Sequence, residues 1–544
     1  MKPDRVRWKP APRRLSDAAR GGRARGAAAP LGAALALAVC LTHSGCGLGD
    51  EPPPVLVIGL DGATFEVLDP LFEQGLLPNL AALRERGTEG VLETVSPAIS
   101  PPAWTSATTG VNPGKHNVYD FFHVSKTSPQ PFLTSALDRR ARPVWWFLNR
   151  AGYRTGILNI PMTFPPDGVD GFFISGFPFG QATTGFTYPK ELEEELGEYP
   201  LDLFGESLPA GRERELLDHF RHTFERHQTV AKRLLTEKDW DLFWVVFTGT
   251  DKVQHYYWKF SDPKHPGYDP VLADEFGTAI RDFFVRVDEV VGEFVAAAGP
   301  ECNVIVLSDH GFGPIYEELR LFQWLRDEGF IVPDPANPQV PLTLDAYAPG
   351  AFGGLLRVSL LGRDFQGRVP PEEAAEVRER LKERLAALVD PETGEPFAER
   401  IFVRDELYHG PYVENAPDVV FLERSTRFVG RAAPSGDLFG PPSYTFSGYH
   451  RPEGILLGAG PSIGRSAERG TFSILDIAPT IYWLFDVALP NDLDGDVAEG
   501  FVRGDLLDAR PVQTSSESAV ILPENVDELS AEEREVLESH GYVR

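Results

Sequence analysis

Cysteine is nearly absent: the 544 residues contain three, of which Cys40 and Cys46 lie in the opening segment and only Cys302 lies beyond it. No disulfide within the folded part is therefore open to this chain, and its stability must come from a core. Long apolar runs are missing too. The longest, Ala27 to Leu41 (AAAPLGAALALAVCL), falls short of the roughly 20 residues that cross a bilayer as a helix. Positive charge is scarce, with 52 Lys and Arg against 80 Asp and Glu. A formal charge of −28 excludes a nucleic-acid backbone as the main partner, because a surface that tracks phosphates needs a positive excess. The glycines Gly350, Gly353 and Gly354 have no following Lys-Ser/Thr, so there is no P-loop. What remains is an ordinary globular balance, 42% hydrophobic and 24% charged, at a length that suits one large α/β domain with insertions.

The opening is unlike the rest. Residues 1–25 carry nine Lys or Arg against two Asp, a net +7, so the other residues hold −35 of the total of −28. This basic stretch, the short apolar run and the small residues before Cys46 have the layout of an export signal over 1–45. Ser44-Gly45-Cys46 resembles a bacterial lipobox, with His43 where Leu is preferred, so the expectation is a periplasmic or cell-surface protein anchored through lipid at Cys46. Simple secretion and an uncleaved anchor are the alternatives. A linker over 46–53 would lead to the folded part, and membrane contact is expected only through that anchor.

From Val55 onward, apolar runs of strand length alternate with helix-period segments. Val55–Leu60, Thr155–Ile160, Leu242–Phe247 and Val304–Leu307 read as buried strands. Asn79–Arg86, Ala103–Thr109, Val144–Ala151, Arg212–Leu235 and Leu272–Ala298 read as helices. Uncharged aliphatic strands between helices predict an α/β fold with a mostly parallel sheet covered on both faces. Over about 330–420 the pattern dissolves into Pro- and Gly-rich sequence and a charged helix, which predicts a cap-like insertion, with the sheet resuming at Asp418–Leu422 and Ile455–Leu457. The main folded domain is expected over 54–510 and an acidic surface appendage over 511–544.

The chemistry lies where acidic residues and histidines meet these strands. Asp61 follows the first strand directly, Asp251 and His255 follow Leu242–Phe247, and Asp309 and His310 follow Val304–Leu307. In a parallel sheet those ends open onto one edge, where open α/β sheets place their ligands. Asp251 and His255 stand at i, i+4, on the same side of a helix's first turn and able to share one ion. Asp309 and His310 are adjacent and could reach one ion only from a loop, which Gly311-Phe-Gly-Pro314 permits. Mixed oxygen and nitrogen donors suit zinc, with manganese possible, and their number suggests two divalent ions.

Six segments then fall in a telling order: Val55–Gly62 (VLVIGLDG), Ser100–Gly110 (SPPAWTSATTG), Asn112–His116 (NPGKH), Thr250–His255 (TDKVQH), Ser308–Gly311 (SDHG) and Ser447–His450 (SGYH). The set resembles the type I phosphodiesterase/nucleotide pyrophosphatase family of the alkaline phosphatase superfamily, over about residues 54–490. The resemblance implies an alkaline-phosphatase-like three-layer sandwich. It implies one metal held by Asp61, Ser100, Asp309 and His310, a second held by Asp251, His255 and His450, and Ser100 as the nucleophile that forms a phosphoserine intermediate. The implied substrate is a small-molecule, lipid or glycan phosphate ester. The family's diesterases carry an Asn that holds a phosphate oxygen, and here that neighbourhood reads Asn117-Val-Tyr-Asp120-Phe121. The sulfatase branch needs Arg where Trp104 stands. A phosphomonoesterase or phosphotransferase of the superfamily, and a binding lipoprotein that kept only the fold, are the other readings.

Several residues carry a plainer expectation. His219, His222 and His227 read as one solvated helix face, Tyr256-Tyr257-Trp258 as core packing, and His116 as a neighbour of the metal ligands. Asp492-Leu-Asp-Gly-Asp496 lacks the glycine and acid of a calcium loop.

Overall fold

The computed structural model describes residues 51–523, apart from 129, 203–210, 335–336, 351–352, 426, 433–435 and 443–444. The expected export signal and Cys46 lie outside the described residues, as do most of the linker and the stretch 524–544.

The strands that the sequence marks by uncharged aliphatic runs sit at the middle of a nine-stranded sheet. Its order is 470–473, 88–93, 453–459, 303–307, 55–60, 242–247, 155–158, 171–174, 187–188. Val55–Leu60 pairs in parallel with Leu242–Phe247 on one side and Asn303–Leu307 on the other, and all three are buried along their whole length. Glu453–Ala459 and Thr187–Tyr188 run against their neighbours. The sheet is mostly parallel, as expected.

Side chains of a strand alternate between faces, and here that alternation builds two cores. Leu56, Ile58 and Leu60 pack with the helices Glu213–Glu237, Gly249–Ser261 and Ala279–Ala298. Val55 and Val57 pack with the helices Ser100–Thr109, Val144–Arg150 and Ile477–Leu484. Helices thus cover both faces, giving the three layers of the α/β sandwich.

Three expectations change. The single helix 272–298 is two, Pro270–Phe276 and Ala279–Ala298. Gly277 stands between them, where a Cβ would lie 2.6 Å from the Ala273 carbonyl oxygen. The segment 418–422 does not rejoin the main sheet: Val419–Glu423 belongs to a four-stranded sheet with 346–347, 355–358 and 398–403. That sheet and the helix Ala374–Ala387 share their own core, which includes Leu356, Leu381, Val419 and Phe421. Strand Glu317–Arg320 also pairs outside the main sheet, with 428–431 and 439–440. Finally, the stretch from Pro511 is not all surface. Ala519 and Val520 are buried, and the Tyr412 hydroxyl donates to the Ile521 carbonyl.

Among the described residues no helix is long and apolar enough to cross a membrane.

Candidate active site

Asp61 lies one residue past the first strand, with its N–H bonded to the Phe247 carbonyl of the neighbouring strand, so the sheet itself sets its place. Its own carbonyl accepts from the Thr250 hydroxyl at 2.6 Å, which ties it to the first turn of the helix Gly249–Ser261. That helix carries Asp251 and His255, whose Oδ1 and Nε2 are 3.4 Å apart. Asp309 and His310 sit in the turn between the strands Asn303–Leu307 and Gly311–Pro314. The second of these pairs antiparallel with Gly448–Arg451, and His450 comes from there, opposite Phe312. Ser100 opens the helix Ser100–Thr109, which begins three residues earlier than its apolar pattern suggests because proline is tolerated in a first turn.

All seven side chains gather. Ser100 Oγ is 3.4 Å from His310 Nε2, and His310 Nε2 is 3.3 Å from Asp309 Oδ2 and 3.9 Å from Asp61 Oδ1. The His310 and His450 rings stack at 3.8 Å. His450 Nε2 lies 3.1 Å from both Asp251 Oδ1 and His255 Nε2. Two triads have ligand atoms within 4.8 Å of one another, Asp61/Asp309/His310 and Asp251/His310/His450. His310 belongs to both.

The donor set fits metal ions, by two independent signs. The first is tautomeric. Nδ1 of His255, His310 and His450 meets the carbonyls of Gly448, Gly311 and Ala98 at 2.9, 3.0 and 3.1 Å. A carbonyl only accepts, so each Nδ1 carries the proton and each Nε2 turns a lone pair inward, the usual support of a metal-ligating imidazole. The second is the carboxylates: Asp61 Oδ1 and Asp309 Oδ2 are buried and have no hydrogen-bond partner.

Electrostatics agree. Burial first, then Asp309 and Asp251, push the Asp61 carboxyl well above its usual range. Burial and, less, the charge of Asp251 push Asp309 up to about 7, against the hydrogen bond from the Gly62 N–H. Burial and the neighbouring His310 press His450 down to about 3, and burial lowers His310, so both rings are neutral at neutral pH. Asp61 and Asp309, buried carboxylates beside the neutral His310, want added positive charge.

Other expectations meet mixed outcomes. His116 touches none of the seven: Nε2 meets Ser106 Oγ at 2.9 Å and Nδ1 accepts from the Val118 N–H. Asn117 is bound elsewhere, donating to the Asp138 carbonyl and accepting from Asn415 Nδ2 at 2.8 Å. His227 is buried rather than solvated, its Nε2 bonded to the Pro200 carbonyl and its ring stacked on Tyr199. Tyr256, Tyr257 and Trp258 are packed in the core. Trp104, singled out in the sequence only for not being arginine, donates its indole N–H to Asp61 Oδ2 at 3.1 Å.

Residues 55–450 match the type I phosphodiesterase / nucleotide pyrophosphatase family. The chain belongs to that family. It is accordingly a hydrolase of the phosphodiesterase/pyrophosphatase type, in a metal-dependent family, with candidate ligand groups in place. Among solved structures it is similar to murine ectonucleotide pyrophosphatase / phosphodiesterase 5, an inactive variant in complex with AMP. The identity is 15%, covering 80% of this chain and 96% of that one, with a TM-score of 0.50. It is also similar to the phosphonoacetate hydrolase of Sinorhizobium meliloti in complex with phosphonoformate, at 16% identity, 80% and 96% coverage and a TM-score of 0.50. These likenesses show the fold that this family member shares. No curated protein matches by sequence.

Proposed function

We propose that this phosphodiesterase-family chain cleaves phosphate esters with Ser100 as nucleophile, through a phosphoserine intermediate, at a site for two divalent cations. Asp61, Ser100, Asp309 and His310 would hold one, and Asp251, His255 and His450 the other. The observation that carries this reading is the convergence of Ser100 with six metal-type ligands, two of whose carboxylate oxygens are buried without partners. Oxygen and nitrogen donors together favour zinc, with manganese as the alternative. When bound, such ions supply Lewis acidity, which favours the ionised serine and neutralises phosphoryl charge.

The chain's own residues do the rest. Ser100 Oγ attacks phosphorus, the ester oxygen of the leaving group departs, and water then cleaves the phosphoserine. The helix behind Ser100 contributes little to binding the phosphoryl oxygens, for a covalent reason. Its first turn would normally present three free N–H groups, but Pro101 and Pro102 have none, which leaves only the Ser100 amide. With a single amide offered by that helix, most of the charge on phosphorus falls to the ligand cluster.

A Ser100→Ala enzyme tested on bis-p-nitrophenyl phosphate and p-nitrophenyl phosphate checks the reading. The expected result is a loss of at least about 10³-fold on the better substrate, the scale seen when a nucleophile is removed, measured with zinc in saturating excess so that the lost Ser100 ligand does not leave its site empty. Equal rates in wild type and variant at full metal content would overturn it and leave a binding protein that kept the fold. The Asn117 amide, committed to Asp138 and Asn415, is not placed to hold a phosphate oxygen. The ratio of the two wild-type rates separates diester from monoester preference.

The substrate we propose is a small-molecule, lipid or glycan phosphate ester. Export and lipid anchoring at Cys46 belong to the same reading, supported by the basic and apolar opening of the sequence.

A further inference from the structure

Asp61 has two carboxylate oxygens with different fates. Oδ1 is buried, has no hydrogen-bond partner and faces His310 Nε2 at 3.9 Å. Oδ2 accepts the indole N–H of Trp104 at 3.1 Å. Trp104 is fully buried and stands one helical turn after Ser100 on the same helix. Its ring lies over the first strand at Gly59, where an added Cβ would come within 2.6 Å of Trp104 Cη2. A residue with any side chain at 59 would displace the indole, so strand and helix together fix where the N–H points.

Resting on the two-cation reading above, we propose that Trp104 is a positioning residue for the cation held by Asp61. By binding Oδ2 it locks the carboxylate plane, leaves Oδ1 as the only oxygen turned to the cluster, and lets one helix register both nucleophile and ligand. Trp104 touches neither substrate nor cation. Its effect runs through Asp61 alone, so it bears on one of the two sites. The cation at Asp251, His255 and His450 is independent of it.

The structure supplies its own control. Trp244 is also fully buried, packs in the same core on the same face of the sheet, and has an indole nitrogen without a hydrogen-bond partner. Truncating it opens a comparable cavity without removing a bond to a ligand. The test is zinc binding to the metal-stripped full chain at fixed pH, titrated against a chromophoric chelator. Wild type, Trp244→Phe, Trp104→Phe and a chain with 3-benzothienylalanine at position 104 are compared, the last keeping the ring's size and lacking only the N–H.

Wild type and Trp244→Phe are expected to bind two equivalents alike. Both position-104 chains should bind one equivalent as wild type does and the other about 10- to 100-fold more weakly, the usual effect of losing a ligand's supporting hydrogen bond. Wild-type affinity for both equivalents in the benzothienylalanine chain would overturn the proposal while leaving the two-cation reading intact, and so would equal weakening in Trp244→Phe and Trp104→Phe. Failure of wild type to bind two equivalents would instead overturn the reading itself, and the proposal with it. Should Trp104→Phe not fold, the benzothienylalanine chain, which keeps the packing, decides alone.

Discussion

At the scale of single residues, the site rests on a glycine as much as on its acids. Gly59 lies mid-strand, and a methyl group there would meet Trp104 Cη2 at 2.6 Å and Val246 Cγ2 at 2.7 Å. Neither ring nor strand has room to yield in a close-packed core. Gly59→Ala is therefore expected to cost about 1–3 kcal/mol, the range for overpacking, read as a lower midpoint in chemical denaturation. A midpoint at or above that of wild type would mean that the indole moves freely, contrary to its place in the core. Five of the seven gathered side chains, Asp61, Asp251, His255, Asp309 and His310, were readable in advance because they follow apolar runs of strand length, whereas Ser100 and His450 were legible only through the ordered segments of a recognisable family. Trp104 and Thr250 were not, since they act on another residue's second oxygen or carbonyl, and no spacing announces such a bond. Gly59 did leave a trace: a lone glycine inside a buried strand commonly marks a close approach.

At the scale of elements, the insertion is held by charge that the sequence pattern does not reveal. Asp418, buried at the head of the strand Val419–Glu423, accepts from the Val358 N–H at 2.9 Å and pairs with Arg363 at 2.6 Å and Arg378 at 3.4 Å. Burial alone would raise its carboxyl, but Arg363, Arg357 and the Val358 N–H hold it below the usual range. Asp418→Asn takes the anion from Arg363 and Arg378, of which Arg363 keeps Asp364 at 3.0 Å, and is expected to cost about 1–3 kcal/mol, as when a buried hydrogen-bonded partner is lost. The sign with pH follows: a carboxyl lowered in the folded state contributes stability above its unfolded pKa and loses it as pH falls through the folded one. Hydrogen exchange of the strands 355–358 and 419–423 should accelerate in the variant and, in wild type, toward acid. Unchanged protection in the variant would show that the insertion's apolar core suffices. The same strand shows why sequence alone misplaced it. An uncharged run such as VVFL fits the buried position of any sheet, and nothing local says whether its partners lie 60 residues away or 350. The central strands were legible because parallel pairing between helices leaves few arrangements, whereas the two helices around Gly277 differ from one long helix by a single backbone break.

At the scale of the whole molecule, an acidic chain concentrates three carboxylates where solvent cannot screen them, and the metal-free protein must bear the consequence. Asp309 is pushed up to about 7 by burial, and Asp61 is pushed well above its usual range by burial and by its acidic neighbours. A group whose folded pKa exceeds its unfolded value contributes stability that is fully present below the unfolded pKa and is lost as pH rises through the folded one. For the chelator-treated protein the window therefore opens near the unfolded carboxylate value of about 4 and runs through about 7 for Asp309. Burial-lowered His310 and His450 act with the opposite sign until they are neutral in the unfolded chain too, at about 6.5, so the melting temperature should fall above about that pH. Cations reverse the sign, because they bind the ionised carboxylates and neutral imidazoles and so compete with protons. At free zinc a thousandfold above its dissociation constant, a single site adds about 4 kcal/mol to folding. The difference in melting temperature between zinc-loaded and chelated protein should therefore widen from about pH 6.5 to about pH 8, chiefly on the chelated side. A chelated protein that melts no lower at the upper pH than at the lower would mean that Asp61 and Asp309 already find their counter-charge within the chain. In that case the unpartnered oxygens of Asp61 and Asp309 would no longer argue for metal.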